Sequence, residues 1–148
     1  MAERKLLSIT VLDIGGFPLI IYDPKEGKID LDKVLKAPAP IESSLLVAAI
    51  HGLTEKGEGT TFVETEEKKY ILTKKGNFIV SLAFSKKIDT YDINIQLFAK
   101  TLINGLIKIH KIKNIGDSIN DVGSYLKEIG PMFTRFVKKL MRRLYITA

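Results

Sequence analysis

The chain has 148 residues, 45% of them hydrophobic and 27% charged, which fits one globular domain spanning 1-148 and excludes a disordered or fibrous chain. It holds no Cys, which excludes a disulfide framework, a thiolate zinc site and a cysteine nucleophile. The net charge is +6, yet five of the 23 bases stand in residues 132–148 with no acid beside them, leaving 18 bases against 17 acids elsewhere; the excess is one local patch and no general nucleic-acid surface.

The longest aliphatic run, Leu45–Ile50, is six residues, far below the roughly 20 that a membrane span takes. Met1-Ala2-Glu3-Arg4-Lys5 has an acid among its bases and no apolar stretch behind them, so no signal peptide is expected. A cytoplasmic protein, peripheral at a membrane at most, is the expectation.

In chain order, residues 5–12 and 17–23 read as two β-strands. Gly15-Gly16 between them supplies the positive φ that a tight hairpin turn needs. Pro18 lacks an amide hydrogen and belongs at a strand start or on an edge. The second strand is therefore expected to be an open edge, with Phe17, Leu19 and Ile21 as an interface for a partner strand. Residues 24–40 read as a loop with one helical turn around Leu31–Leu35.

A first helix is expected after Pro40, over Ile41–Glu55, with Ile41, Leu45, Leu46, Ala49, Ile50 and Leu53 on one face. Three strands follow, Thr60–Glu64, Lys69–Thr73 and Phe78–Ser85; the last is apolar on both sides and belongs mid-sheet. A second helix runs from about Thr90 or Asp92 to His110, with Ile93, Leu97, Thr101, Leu102, Leu106 and Ile109 sharing a face. Asp89, Thr90 or Asp92 is placed to cap it.

The final segment starts near Asp117, with 118–148 as its helical part, and apolar residues stand at Ile115, Ile119, Val122, Leu126, Ile129, Phe133, Phe136 and Leu140 in alternating steps of four and three. Gly130-Pro131 interrupts it, which predicts two helices or one kinked helix along a single surface. A stripe of this kind packs on the domain or pairs with a coiled-coil partner. Arg135, Lys138, Lys139, Arg142 and Arg143 fall within about 140° of arc at 100° per residue, opposite the apolar side. That basic patch suits an anionic membrane or an acidic partner.

Residues that carry catalysis are sparse. Gly57-Glu58-Gly59 lacks the third glycine of a dinucleotide loop and precedes a strand. No phosphate-binding loop sequence and no nucleophile elbow is present. His51 and His110 have no second ligand at helical spacing. No catalytic residue, cofactor or metal is expected, and the chain is expected not to be an enzyme.

The predicted order is strand, strand, helix, three strands, helix, helix: an α+β fold with a five-stranded antiparallel sheet and helices packed on it. This order, with the Ile9–Asp23 hairpin, the Ile41–Glu55 helix, the Thr60–Ser85 meander, the Asp92–His110 helix and the closing helix from Ser118, resembles the longin domain, within the profilin-like and roadblock-like group. Roadblock proteins begin with a helix, whereas this chain begins with a strand, which favours longin. The resemblance implies a non-catalytic protein-interaction module that regulates or scaffolds small GTPases or membrane-trafficking complexes. It implies binding to a small GTPase or to another longin- or roadblock-type domain, a second copy of this chain included. Two alternatives stand beside it. One is a small-molecule sensor of the profilin-like type, which needs a pocket between sheet and helix. The other is a peripheral membrane adaptor acting through the basic C-terminal helix.

Overall fold

The computed structural model describes residues 3–36, 44–115, 119 and 121–148. Among the described residues the chain forms one antiparallel sheet of six strands and four helices. The strands are β1 (Leu6–Asp13), β2 (Pro18–Asp23), β3 (Lys28–Ile29), β4 (Gly59–Glu64), β5 (Lys68–Lys75) and β6 (Phe78–Ser85). The helices are α1 (Leu31–Lys36), α2 (Ser44–Lys56), α3 (Ile93–Ile112) and α4 (Val122–Arg143). The sheet has six strands in the order β3-β2-β1-β6-β5-β4.

The opening hairpin follows from Asp13 and the two glycines. The Asp13 carboxylate accepts from the amides of Gly15 (2.9 Å) and Phe17 (3.0 Å), and Gly16 takes φ +86°, which a side chain resists. β6 then pairs with β1 on one side and β5 on the other, joining the hairpin to the β4–β6 meander. Its alternation serves both faces. Phe78, Val80, Leu82 and Phe84 join the larger core with α3 and α4, while Ile79 and Ala83 join the smaller one beneath α2.

The larger core takes Ile9 and Val11 from β1, Ile20 and Tyr22 from β2, Phe98, Leu102 and Leu106 from α3, and Phe133, Val137 and Leu140 from α4. Tyr22 meets Phe133 edge-to-face at 6.2 Å. The smaller core sets Ile50 and Leu53 of α2 on Leu12, Tyr70 and Leu72. Each such side chain contributes about 1.5–3 kcal/mol on leaving water, so the α3–α4 layer is the major stabilising contact.

Three expectations need correction. The sheet has six strands and not five, because Lys28-Ile29 adds a short strand beside Tyr22 and Asp23. Two residues are too few to show any alternation in sequence. Of the two forms expected for the final segment, two helices or one kinked helix, the first is ruled out: α4 continues as one helix through Pro131. Pro131 faces solvent, so water can bond the carbonyl that loses its partner. The apolar face of α3 is Ile95, Phe98, Ala99, Leu102, Ile103, Leu106 and Ile109, whereas Ile93 (69% exposed) and Leu97 (43%) point outward.

Several expectations agree with the structure. Asp92 caps α3 by accepting from the Asn94 amide. α1 supplies the helical turn within 24–40. The stripe along α4 packs on the domain, with Leu126, Ile129, Phe133 and Leu140 in the core and Val122 and Phe136 packed against it. Pro38-Ala39-Pro40, Ile41, Asp117 and Ser118 lie outside the described residues.

Candidate interaction site

The second strand is not the open edge that its sequence suggested. β3 pairs with it at Tyr22 and Asp23, and the Asp30 amide donates to the Ile21 carbonyl at 2.8 Å. Leu19 and Ile21 are buried, at 3% and 7% exposure, and Phe17 alone of the predicted trio is open, in the turn. Their aliphatic side chains serve the core, so they cannot greet a partner strand.

The sheet ends in the two-residue β3 on one side and in β4 on the other, and among the described residues no strand pairs with the outer side of the longer β4. The Thr65 amide donates to the Lys68 carbonyl at 2.9 Å, closing the β4–β5 turn. Alternation in an antiparallel ladder then turns the amides and carbonyls of Gly59, Thr61 and Val63 toward β5. Those of Thr60, Phe62 and Glu64 face outward, three donors and three acceptors in a row. Phe62 is 49% exposed beside them.

A groove of about 480 Å³ runs along this edge, between β4 and α3. Ile71, Ala99 and Ile103 give it an apolar floor, and Glu58, Gln96 and Lys100 stand among its polar lining. Two lysines shape its end. Lys75 Nζ donates to Asn104 Oδ1 at 2.7 Å, and Lys74 Nζ donates to the Gly57 carbonyl. The hairpin lysines thus tie the meander to α3 and to the residue that follows α2.

The basic residues of α4 lie where helical periodicity put them. Arg135, Lys138, Lys139, Arg142 and Arg143 are all exposed, and none has an ion pair among the described residues. Val137, Leu140 and Met141 opposite them are buried in the domain. The helix therefore cannot turn an apolar face to a bilayer; only its charge is available. No described helix is long and apolar enough to cross a membrane.

The two histidines differ. His51 is on the exposed side of α2. His110 is 5% exposed and held at both ring nitrogens, by the Leu106 carbonyl (2.7 Å) and the Tyr125 hydroxyl (2.7 Å). Burial pushes its imidazole below the ordinary range, against the Leu106 bond, and burial pushes the Tyr125 phenol up. With both nitrogens engaged, His110 has no lone pair to offer a metal. Among the described residues no group of three or more His, Asp or Glu side chains is placed to hold a metal ion.

No protein-family model matches the chain, and no curated protein matches it.

Proposed function

We propose that the chain is a non-catalytic, longin-like interaction module that regulates or scaffolds a small GTPase or a membrane-trafficking type of complex. The observation that carries this reading is the open β4 edge beside an apolar groove. An extended segment of a partner can add its backbone to Thr60, Phe62 and Glu64 while its alternate side chains enter the groove over Ile71 and Ile103. The succession of elements supports the longin resemblance: a hairpin and a three-strand meander meet through β1 and β6, with β3, the short α1 and α2 between them in sequence and α3 and α4 after. The partner classes are a small GTPase, another longin- or roadblock-type domain, or a second copy of this chain.

Calorimetric titration against small GTPases in both nucleotide states and against roadblock-type domains tests this, with GTP hydrolysis by the chain alone as the control. Binding without turnover supports it. Absence of binding across those partners, or turnover by the chain itself, overturns it. A small-molecule sensor is the second reading, favoured by the groove volume of about 480 Å³, which is within the size of ligand sites. A thermal-shift rise with a small apolar ligand that Ile103→Ser removes would favour the sensor.

A further inference from the structure

We infer that the outer surface of the α3–α4 layer docks on an anionic lipid bilayer, by a combination of cations and a few protruding side chains. Segments 93–113 and 129–148 hold nine of the 23 bases and none of the 17 acids. The rest of the chain, which includes Lys127 and Glu128 in the first half of α4, keeps 14 bases against 17 acids, so the positive excess lies on α3 and the later part of α4. The nine are not used inside the protein: the ion pairs among the described residues are Arg4–Asp92 and Lys33–Asp30, and neither involves them.

Both helices pack on one face of the sheet. They run antiparallel, since His110 meets Tyr125 at one end and Asn94 Nδ2 donates to the Leu144 carbonyl (2.9 Å) at the other. Lys108 and Lys111 on α3 and Arg135, Lys139 and Arg142 on α4 are exposed on it. α3 extends for about 30 Å, so the cations are spread and not gathered at one point.

The Asn94–Leu144 bond also fixes what stands at that end. Ile93 and Tyr145 are the next residues along, 69% and 71% exposed, with Tyr91 (87%) and Leu97 (43%) near in sequence. These are four of the nine large hydrophobic residues that are exposed among the described ones. Aliphatic and aromatic side chains beside dispersed cations suit a bilayer. The cations meet anionic headgroups, Tyr occupies the headgroup level and Ile reaches acyl chains. Nucleic acid repays no exposed Ile, and an acidic protein would be better held by a concave site than by this spread of charge. This inference does not rest on the β4 groove. It also differs from insertion of α4 along its apolar face, which is buried.

Flotation of the full chain with phosphatidylcholine vesicles, with and without phosphatidylserine, tests the inference. Capture is expected only with phosphatidylserine, is lost in high salt, and falls about fivefold for each charge removed in Lys139→Gln and Arg142→Gln. The chain has no Trp, so Tyr145→Trp reports insertion as a blue-shifted emission on the same vesicles. Ile93→Ser, which leaves the charge alone, weakens capture. All four positions are exposed, and an unchanged thermal midpoint separates lost docking from lost fold. Equal capture with and without phosphatidylserine, or an unaffected Ile93→Ser variant, would overturn the inference. So would poly-glutamate or duplex RNA displacing the chain from vesicles while the Tyr145→Trp emission stays unshifted.

Discussion

Tyr125 on α4 gives its hydroxyl proton to Nε2 of His110 on α3 at 2.7 Å. The direction is fixed by the other nitrogen, because the Leu106 carbonyl at 2.7 Å can only accept and so Nδ1 carries the hydrogen. The imidazole also lies against Phe78 of β6, with centroids 4.4 Å apart and the rings tilted by 33°. One neutral histidine therefore joins sheet, α3 and α4 at the end of the layer opposite Ile93 and Tyr145.

Tyr125→Phe removes the donor and leaves a buried Nε2 without a partner. A loss of about 1–3 kcal/mol is expected in denaturant unfolding. Adding His110→Phe removes the orphaned acceptor and should restore part of it, and a double-mutant cycle measures the coupling.

Stability should decline as the medium is made acid. Burial holds folded His110 below its ordinary value, so between the two values the unfolded chain binds a proton that the folded chain does not. This contribution is complete above about pH 6.5 and is lost as pH falls below it, until folded His110 itself protonates, at no more than about 1.4 kcal/mol per pH unit. Chemical unfolding at several pH values checks it. His110→Phe should flatten that part of the profile.

Gly105 lets α3 and α4 approach. A Cβ there would run into the Phe136 ring. Although alanine is the better helix former by about 1 kcal/mol, Gly105→Ala should cost a net of about 1–3 kcal/mol through overpacking. Shortening the opposing side chain in Gly105→Ala/Phe136→Leu should recover much of the loss in the same unfolding measurement.

The C-terminal tail belongs to the fold. Tyr145 takes φ +57°, the Ile146 amide returns to the Met141 carbonyl at 2.8 Å, and Thr147 bridges to the strand start through Leu6 and Arg4. Ile146 is 5% exposed. Ile146→Ala should cost about 2–4 kcal/mol, read as a lowered thermal midpoint, although only two residues follow it in the sequence.

Much of the fold was written in local pattern. Gly15-Gly16 marked the hairpin, Phe78–Phe84 marked the central strand, and Asp92 marked the start of α3. What pattern could not reveal depended on neighbours distant in sequence. Pro18 made β2 look like an edge, but β3 covers its end, and no two-residue strand is legible alone. The longer of the two edges did leave a trace: β4 reads Gly-Thr-Thr-Phe-Val-Glu, with threonines and a closing acid that fit an open strand. Ile93 and Leu97 satisfied helical spacing, yet the more populated face through Phe98 and Leu102 won the core. The groove needed the register of β4 against β5 and the seat of α3, neither of which any one segment contains.

The role assigned to β4 is tested most directly by amide hydrogen exchange at single residues, on the chain alone and with a bound small GTPase or roadblock-type domain. Alone, Thr60, Phe62 and Glu64 should exchange far faster than Thr61 and Val63, whose amides face β5. With partner bound, those three should slow by about tenfold or more while Phe17 is unchanged. Protection of all five amides in the free chain, or three outward amides that exchange at the same rate with and without the partner, would contradict the account.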